Sequence, residues 1–180
     1  MPDFVSHEGS KWSAEFAGKR PGTPEFDKAW QDIARRDPKG FQEAQHQYIE
    51  RTHYTPTVNN VRNSTGVDIS QHSKALQNVV WSTGVQHGPG SSIVSDAIKK
   101  VESQGIKPDD PDFDRRVINA IYDERGATNA AGQPIHFLHS SPENQRGVLA
   151  RFASERRDAL QELRAERGAE HQSDPPEKAL

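Results

Sequence analysis

The run from Asp37 to Pro56 sets the terms for the segments around it. Asp37 followed by Pro38 starts a helix: a side-chain acceptor for unbonded N–H groups, then a residue that needs no donor in the first turn. Phe41, Ala44, Gln45, Tyr48, Ile49 and Thr52 recur at helical spacing and share one face. Pro56 is expected to end the run, because the residue before a proline is pushed out of the α region. Gln45 is the polar member of that face. Its amide must bond another helix's backbone or line a wet cleft, since an unmet polar group there costs about 1–3 kcal/mol.

The same punctuation recurs along the chain. Thr23-Pro24-Glu25 opens a helix that carries Phe26, Trp30, Ile33 and Ala34 and ends at Arg35-Arg36. Ser70 or Ser73 opens one with Leu76, Val79, Val80 and Thr83 facing inward. Its end is the Gly84–Gly90 stretch. Ser91 or Ser92 and Asp109–Asp112 open two more, carrying Ile93 to Val101 and Phe113 to Ile121. Ser141-Pro142-Glu143 starts the last, with Val148, Leu149, Phe152, Leu160 and Leu163. Between them, residues 127–141 are polar around an apolar knot at Ile135, Phe137 and Leu138, as an ordered loop or a small hairpin would be. Only 32% of the residues are hydrophobic and 27% are charged, so the core must come from narrow stripes on amphipathic helices. The expectation is an all-α domain of about seven helices over residues 1–167, followed by a disordered tail over 168–180.

Several function classes drop out. A net charge of −3 speaks against nucleic acid as a partner. The absence of cysteine removes disulfides and thiolate metal sites. No apolar run is long enough to span a bilayer, and no signal peptide is visible, so export would need another route. No Gly-rich phosphate loop, His-Glu-x-x-His pair or nucleophile elbow occurs, and no cofactor is expected.

His46, Glu50 and His53 share a helical face at metal-ligand spacing, but that face is opposite the apolar stripe and no further ligand is evident. A solvated face is expected there, with no metal. Gln86 and His87 stand at a glycine-rich helix end, either exposed together toward a ligand or serving as a helix terminus with His87 near its negative end. Tyr122-Asp123-Glu124-Arg125 sets a carboxylate beside a guanidinium, as an ion pair would. Arg151, Glu155, Arg156 and Arg157 are expected to form surface pairs.

The blocks Phe41–His46, Thr52–Tyr54, Val79–Pro89, Ile121–Arg125 and Arg151–Arg156 come in an order that resembles a known family. It is the lysozyme-like domain at the C-terminus of certain type VI secretion spike proteins, also found in other secreted antibacterial effectors and phage-type wall hydrolases. The resemblance spans roughly Phe4 to Leu163, and Trp81–His87 is its most specific piece. It implies a lysozyme- or chitosanase-like fold and cleavage of peptidoglycan glycan strands. It also implies secretion or delivery into the periplasm of a target bacterium, with an immunity protein or secretion-system component as partner.

In the family, the catalytic acids lie in an N-terminal segment: a glutamate in a Tyr-Glu-Ser-Gly-like stretch, then an aspartate in a Gly-rich turn. Met1-Pro2-Asp3-Phe4-Val5 resembles the sequence just downstream, and Glu8 aligns with the variable loop before Trp12. No family acid carries over, and the chain is expected to be incomplete at its N-terminus relative to the family. Glu124 and Glu50 are the candidate catalytic carboxylates. Gln45, His53, Tyr54, Gln86 and His87 are the candidate substrate-binding residues, because amides and aromatic groups suit sugars. Three functions follow: a glycan hydrolase whose acid comes from a neighbouring segment, a non-catalytic wall- or partner-binding module, or a remnant that folds poorly because Phe4, Val5 and Trp12 lack a partner helix.

Overall fold

The computed structural model describes residues 2–173, and the secondary structure of those residues is helical apart from an isolated bridge between Thr128 and Pro134. The chain divides into two compact units, Met1–Pro56 and Thr57–Leu180.

The first unit contains α1 (Pro2–Ser6), α2 (Ser13–Phe16), α3 (Pro24–Arg36) and α4 (Pro38–Ile49). The caps are those expected. Thr23 Oγ1 accepts from Phe26 N at 3.4 Å, and Asp37 Oδ1 accepts from Gly40 N at 3.1 Å. The core is aromatic. Phe4, Trp12, Phe16, Phe26, Ile33 and Phe41 are buried, with Trp30 and Tyr48 packed against them. Phe4 lies 5.6 Å from Trp30 and 5.5 Å from Tyr48, and Trp12 lies 5.0 Å from Phe41, between ring centroids. The expectation that Phe4, Val5 and Trp12 would lack partners is therefore corrected. The chain folds them back at Gly9, where a Cβ would stand 2.6 Å from the Phe4 ring.

Pro56 does not end the helical run. A π segment, Glu50–Tyr54, follows α4 and leads into α5 (Thr55–Thr65). Thr55 N donates to Glu50 O, five residues back. This wider turn makes room for a ring that would otherwise clash with the carbonyl four residues earlier.

The second unit is built on α6 (Lys74–His87), α7 (Ile93–Ser103), α8 (Phe113–Arg125) and α9 (Pro142–Ser173), with α7 against α8 and α9 against both α6 and α8. Leu76, Val80, Ile98, Phe113, Val117, Ile118 and Ile121 form its core, with Phe152 and Leu163 from α9. The start of α6 is held from three sides. Ser73 Oγ accepts from Leu76 N at 3.2 Å, while the Glu166 carboxylate accepts from Lys74 N and Ala75 N at 2.9 and 2.8 Å. Asp114 accepts from Ser73 N at 2.9 Å and meets His72 Nδ1 at 2.7 Å. These bonds satisfy donors that a helix start leaves open and fix where the far end of α6 falls. α9 continues past Gly168 to Ser173, and the remainder of the expected tail lies outside the described residues.

Candidate functional site

In the second unit, α6 delivers Gln86 and His87 to its last turn, and Gly88, at φ +84°, swings the chain away. A side chain with a Cβ is strained at that φ, so the glycine is what frees the corner. Opposite stand the end of α8, the loop around Ile135–Phe137 and the first half of α9.

His87 packs its ring among other rings: His136 at 5.2 Å, Phe137 at 5.8 Å and Phe152 at 6.1 Å, between centroids. Burial, together with the positive charge of Arg125, His136 and Arg151, pulls its pKa from 6.5 to about 4. The imidazole is thus neutral at neutral pH. Gln86 Oε1 accepts from Arg151 Nη2 at 2.5 Å.

Arg125 is the anomaly of this corner. It is a guanidinium only 1% exposed, stacked 4.3 Å from the Phe152 centroid and 5.0 Å from that of Tyr122. Its Nη2 donates to Ser82 Oγ at 3.3 Å and lies 3.2 Å from Glu155 Oε2, an ion pair without hydrogen-bond alignment. Burial pulls the guanidinium below its usual pKa, while burial pushes the Tyr122 phenol up to about 12. Glu155 also faces Arg151 Nε at 3.4 Å. A cleft of about 280 Å³ between α8 and α9 shares Tyr122 and Phe152 with this cluster.

The expected carboxylate–guanidinium pair within Tyr122–Gly126 is corrected, because consecutive helical residues do not face each other. Arg125 turns inward to Glu155, Asp123 pairs with Arg156 at 2.7 Å, and Glu124 faces His136 Nε2 at 3.4 Å. Nor are the α9 charges confined to surface pairs. Arg151 and Glu155 do pair along the helix, but Glu155 also reaches the buried Arg125, and Arg156 reaches α8. The candidate acid Glu124 is exposed on α8, and Glu50 is exposed on the π segment of the first unit.

Gln45, His53 and Tyr54 belong to the first unit. Gln45 Nε2 donates to Phe41 O at 3.0 Å, so its amide is met by its own helix and not by another. His53 Nδ1 lies 2.8 Å from Thr52 Oγ1, and Tyr54 is half-buried at the end of the π segment. Nearby, Arg51 draws in both Glu8, at 2.5 Å, and Asp3, at 2.9 Å, and the Glu8 carboxyl is held below the usual range chiefly by that bond. Among the described residues, no three His, Cys, Asp or Glu side chains gather as a metal site, His46, Glu50 and His53 included.

Comparison with known proteins matches residues 1–156 to the family described as "Type VI secretion system spike protein VgrG3-like, C-terminal". The type VI secretion system spike protein VgrG3 of Vibrio cholerae is 38% identical over 91 residues. That stretch is 51% of this chain and 9% of the Vibrio protein, so the chain corresponds to a small part of that relative's length.

Proposed function

The chain belongs to the VgrG3-like C-terminal family of type VI secretion system spike proteins, and we propose that it acts on the glycan strands of peptidoglycan as a muramidase-like domain. The reading includes delivery into the periplasm of a target bacterium and an immunity protein as counterpart. The observation that carries it is the corner at the end of α6. Gln86, the neutral His87 imidazole, Arg151 and the Phe137 ring meet there, packed over the buried Arg125, Phe152 and Tyr122. Sugars offer apolar ring faces and many hydroxyls, which aromatic and amide groups complement.

Hydrolysis of a glycosidic bond uses two carboxylates across the bond, one of them protonated by an apolar setting that raises its pKa. The solvated placement of Glu50 and Glu124 favours a second reading, in which the domain grips glycan and the acid is supplied from elsewhere. One experiment separates the two. Purified peptidoglycan is incubated with this chain, and release of reducing ends and soluble muropeptides is followed with circular dichroism on the same sample. Release by a helical protein supports hydrolysis and makes Glu124 and Glu50 the first substitutions. A folded protein that sediments with peptidoglycan but releases nothing supports the binding module. A folded protein that neither binds nor cleaves refutes both.

A further inference from the structure

Among the described residues, the buried side-chain nitrogen and oxygen atoms without a hydrogen-bond partner are His87 Nε2, Arg125 Nε, Arg125 Nη1 and Glu155 Oε2. They belong to one cluster. Buried polar groups in folded proteins are almost always bonded, so four exceptions in one place call for a physical cause.

The charges suggest one. Glu155 stands between two guanidiniums, 3.2 Å from Arg125 and 3.4 Å from Arg151. Both separations exceed the 2.7–2.9 Å of a good charge-assisted bond. The neighbouring side chains have their own anions: Arg156 pairs with Asp123, and His136 faces Glu124. Two arginines thus share one carboxylate, and the other contacts of Arg151 are the neutral oxygen of Gln86 and the face of the Phe152 ring, 5.3 Å away. A guanidinium binds a carboxylate through a fork of parallel N–H donors, and an amide oxygen is a poor substitute.

We propose that this cluster is a receptor for a carboxylate carried by peptidoglycan, an inference that rests on the glycan reading above. Arg151 is the point of entry, since its side chain is 47% exposed and Arg125 is closed off. The incoming carboxylate replaces Gln86 Oε1 on Arg151. Glu155 is then released from its divided position and turns wholly to Arg125, with its two oxygens on the fork of Nε and Nη2, so that Nε gains the acceptor it lacks. Two cations and two anions result. The neutral His87 ring adds no competing charge beside them. The domain would thereby separate peptidoglycan from chitin, which has the same backbone sugar without the acid. A free lactyl group on a denuded glycan strand or a peptide stem can supply the carboxylate.

The test uses the 180-residue chain labelled with ¹⁵N. It is titrated with chitotetraose, with a GlcNAc–MurNAc tetrasaccharide bearing free lactyl carboxylates, and with the same tetrasaccharide bearing peptide stems. A carboxylated sugar should bind at least about tenfold tighter than chitotetraose and lose that advantage in added salt. Its binding should also shift the Arg125 Nε–H resonance. Whichever carboxylated compound binds tighter identifies the source. Arg151→Gln should abolish the advantage. Gln86→Glu supplies the carboxylate internally, so it should abolish the advantage too and move the Arg125 resonance without ligand. Equal binding of chitotetraose overturns the carboxylate receptor and leaves the glycan reading intact. So does an advantage that survives both substitutions. A folded protein that responds to none of the three sugars overturns the receptor and the glycan reading together.

Discussion

Acid should loosen the second unit through His87, and the size of the effect follows from its surroundings. The ring's pKa is about 4 in the folded chain and 6.5 in the unfolded one, where it is free of Arg125, His136 and Arg151. Between those values the unfolded chain takes up a proton that the folded chain refuses. The stability contributed by this group is therefore whole above pH 6.5, declines as pH falls through the folded value near 4, and changes no further below it. At about 1.4 kcal/mol per pH unit, the ceiling is ~3.5 kcal/mol. The ring is only partly buried, and solvent screening reduces the effect to about 1–2 kcal/mol. Urea denaturation of the parent chain and of His87→Phe at about pH 7 and about pH 4.5 isolates it, because carboxylates such as Glu8 and Asp114 lose their contributions equally in both. The parent should lose about 1–2 kcal/mol more than the variant over that interval. Equal losses would refute the reasoning, since the ring would then be accepting its proton in place without cost.

Arg125→Ala removes a cation held by Glu155, Ser82, Tyr122 and Phe152 and should destabilise by about 3 kcal/mol in the same assay, with Arg125→Met costing less because it keeps the packing. A loss below about 1 kcal/mol for Arg125→Ala would show that the guanidinium's burial is not matched by its contacts. Glu166→Ala leaves the N–H groups of Lys74 and Ala75 without their acceptor and should lower the thermal midpoint by an amount equivalent to about 1–2 kcal/mol. Gly9→Ala presses a methyl group against the Phe4 ring and should cost about 1–3 kcal/mol, read from near-ultraviolet dichroism and urea denaturation of the aromatic first unit.

What the sequence made legible was local. Thr23, Asp37, Ser73 and Ser141 act as caps because a short polar side chain before a helix has one obvious partner, the N–H two or three residues on. The inward residues of α3, α6, α7 and α8 follow from a spacing of 3.6 residues per turn, and all-helical structure follows from those stripes. Pro56 misled for a related reason. Proline's effect on a regular helix is a local rule, and the π turn that absorbs it is a competing local solution with no signature in Glu50–Tyr54. The burial of Phe4 and Trp12 was hidden because their partners, Trp30, Phe41 and Tyr48, are tens of residues away.

The candidate site was half legible, and the division follows the same line. Gln86 and His87 could be picked out because a glycine-rich helix end exposes whatever precedes it. Arg125 and Glu155 could not, since each has an opposite charge nearer in sequence that draws attention first: Glu124 next to Arg125, which does not face it, and Arg151 one turn before Glu155. The one available signal is spacing. Tyr122 and Arg125 are three apart on α8, and Phe152 and Glu155 are three apart on α9. Each charge therefore shares a face with an aromatic residue that must be buried. A charge placed beneath a core aromatic is costly unless something across the interface meets it. Here the meeting is incomplete, with Glu155 divided between two arginines and two of the Arg125 nitrogens unbonded. A stability requirement alone would remove that arrangement by substituting an apolar residue. Its presence beside Gln86 and His87 is the physical reason to look for function there.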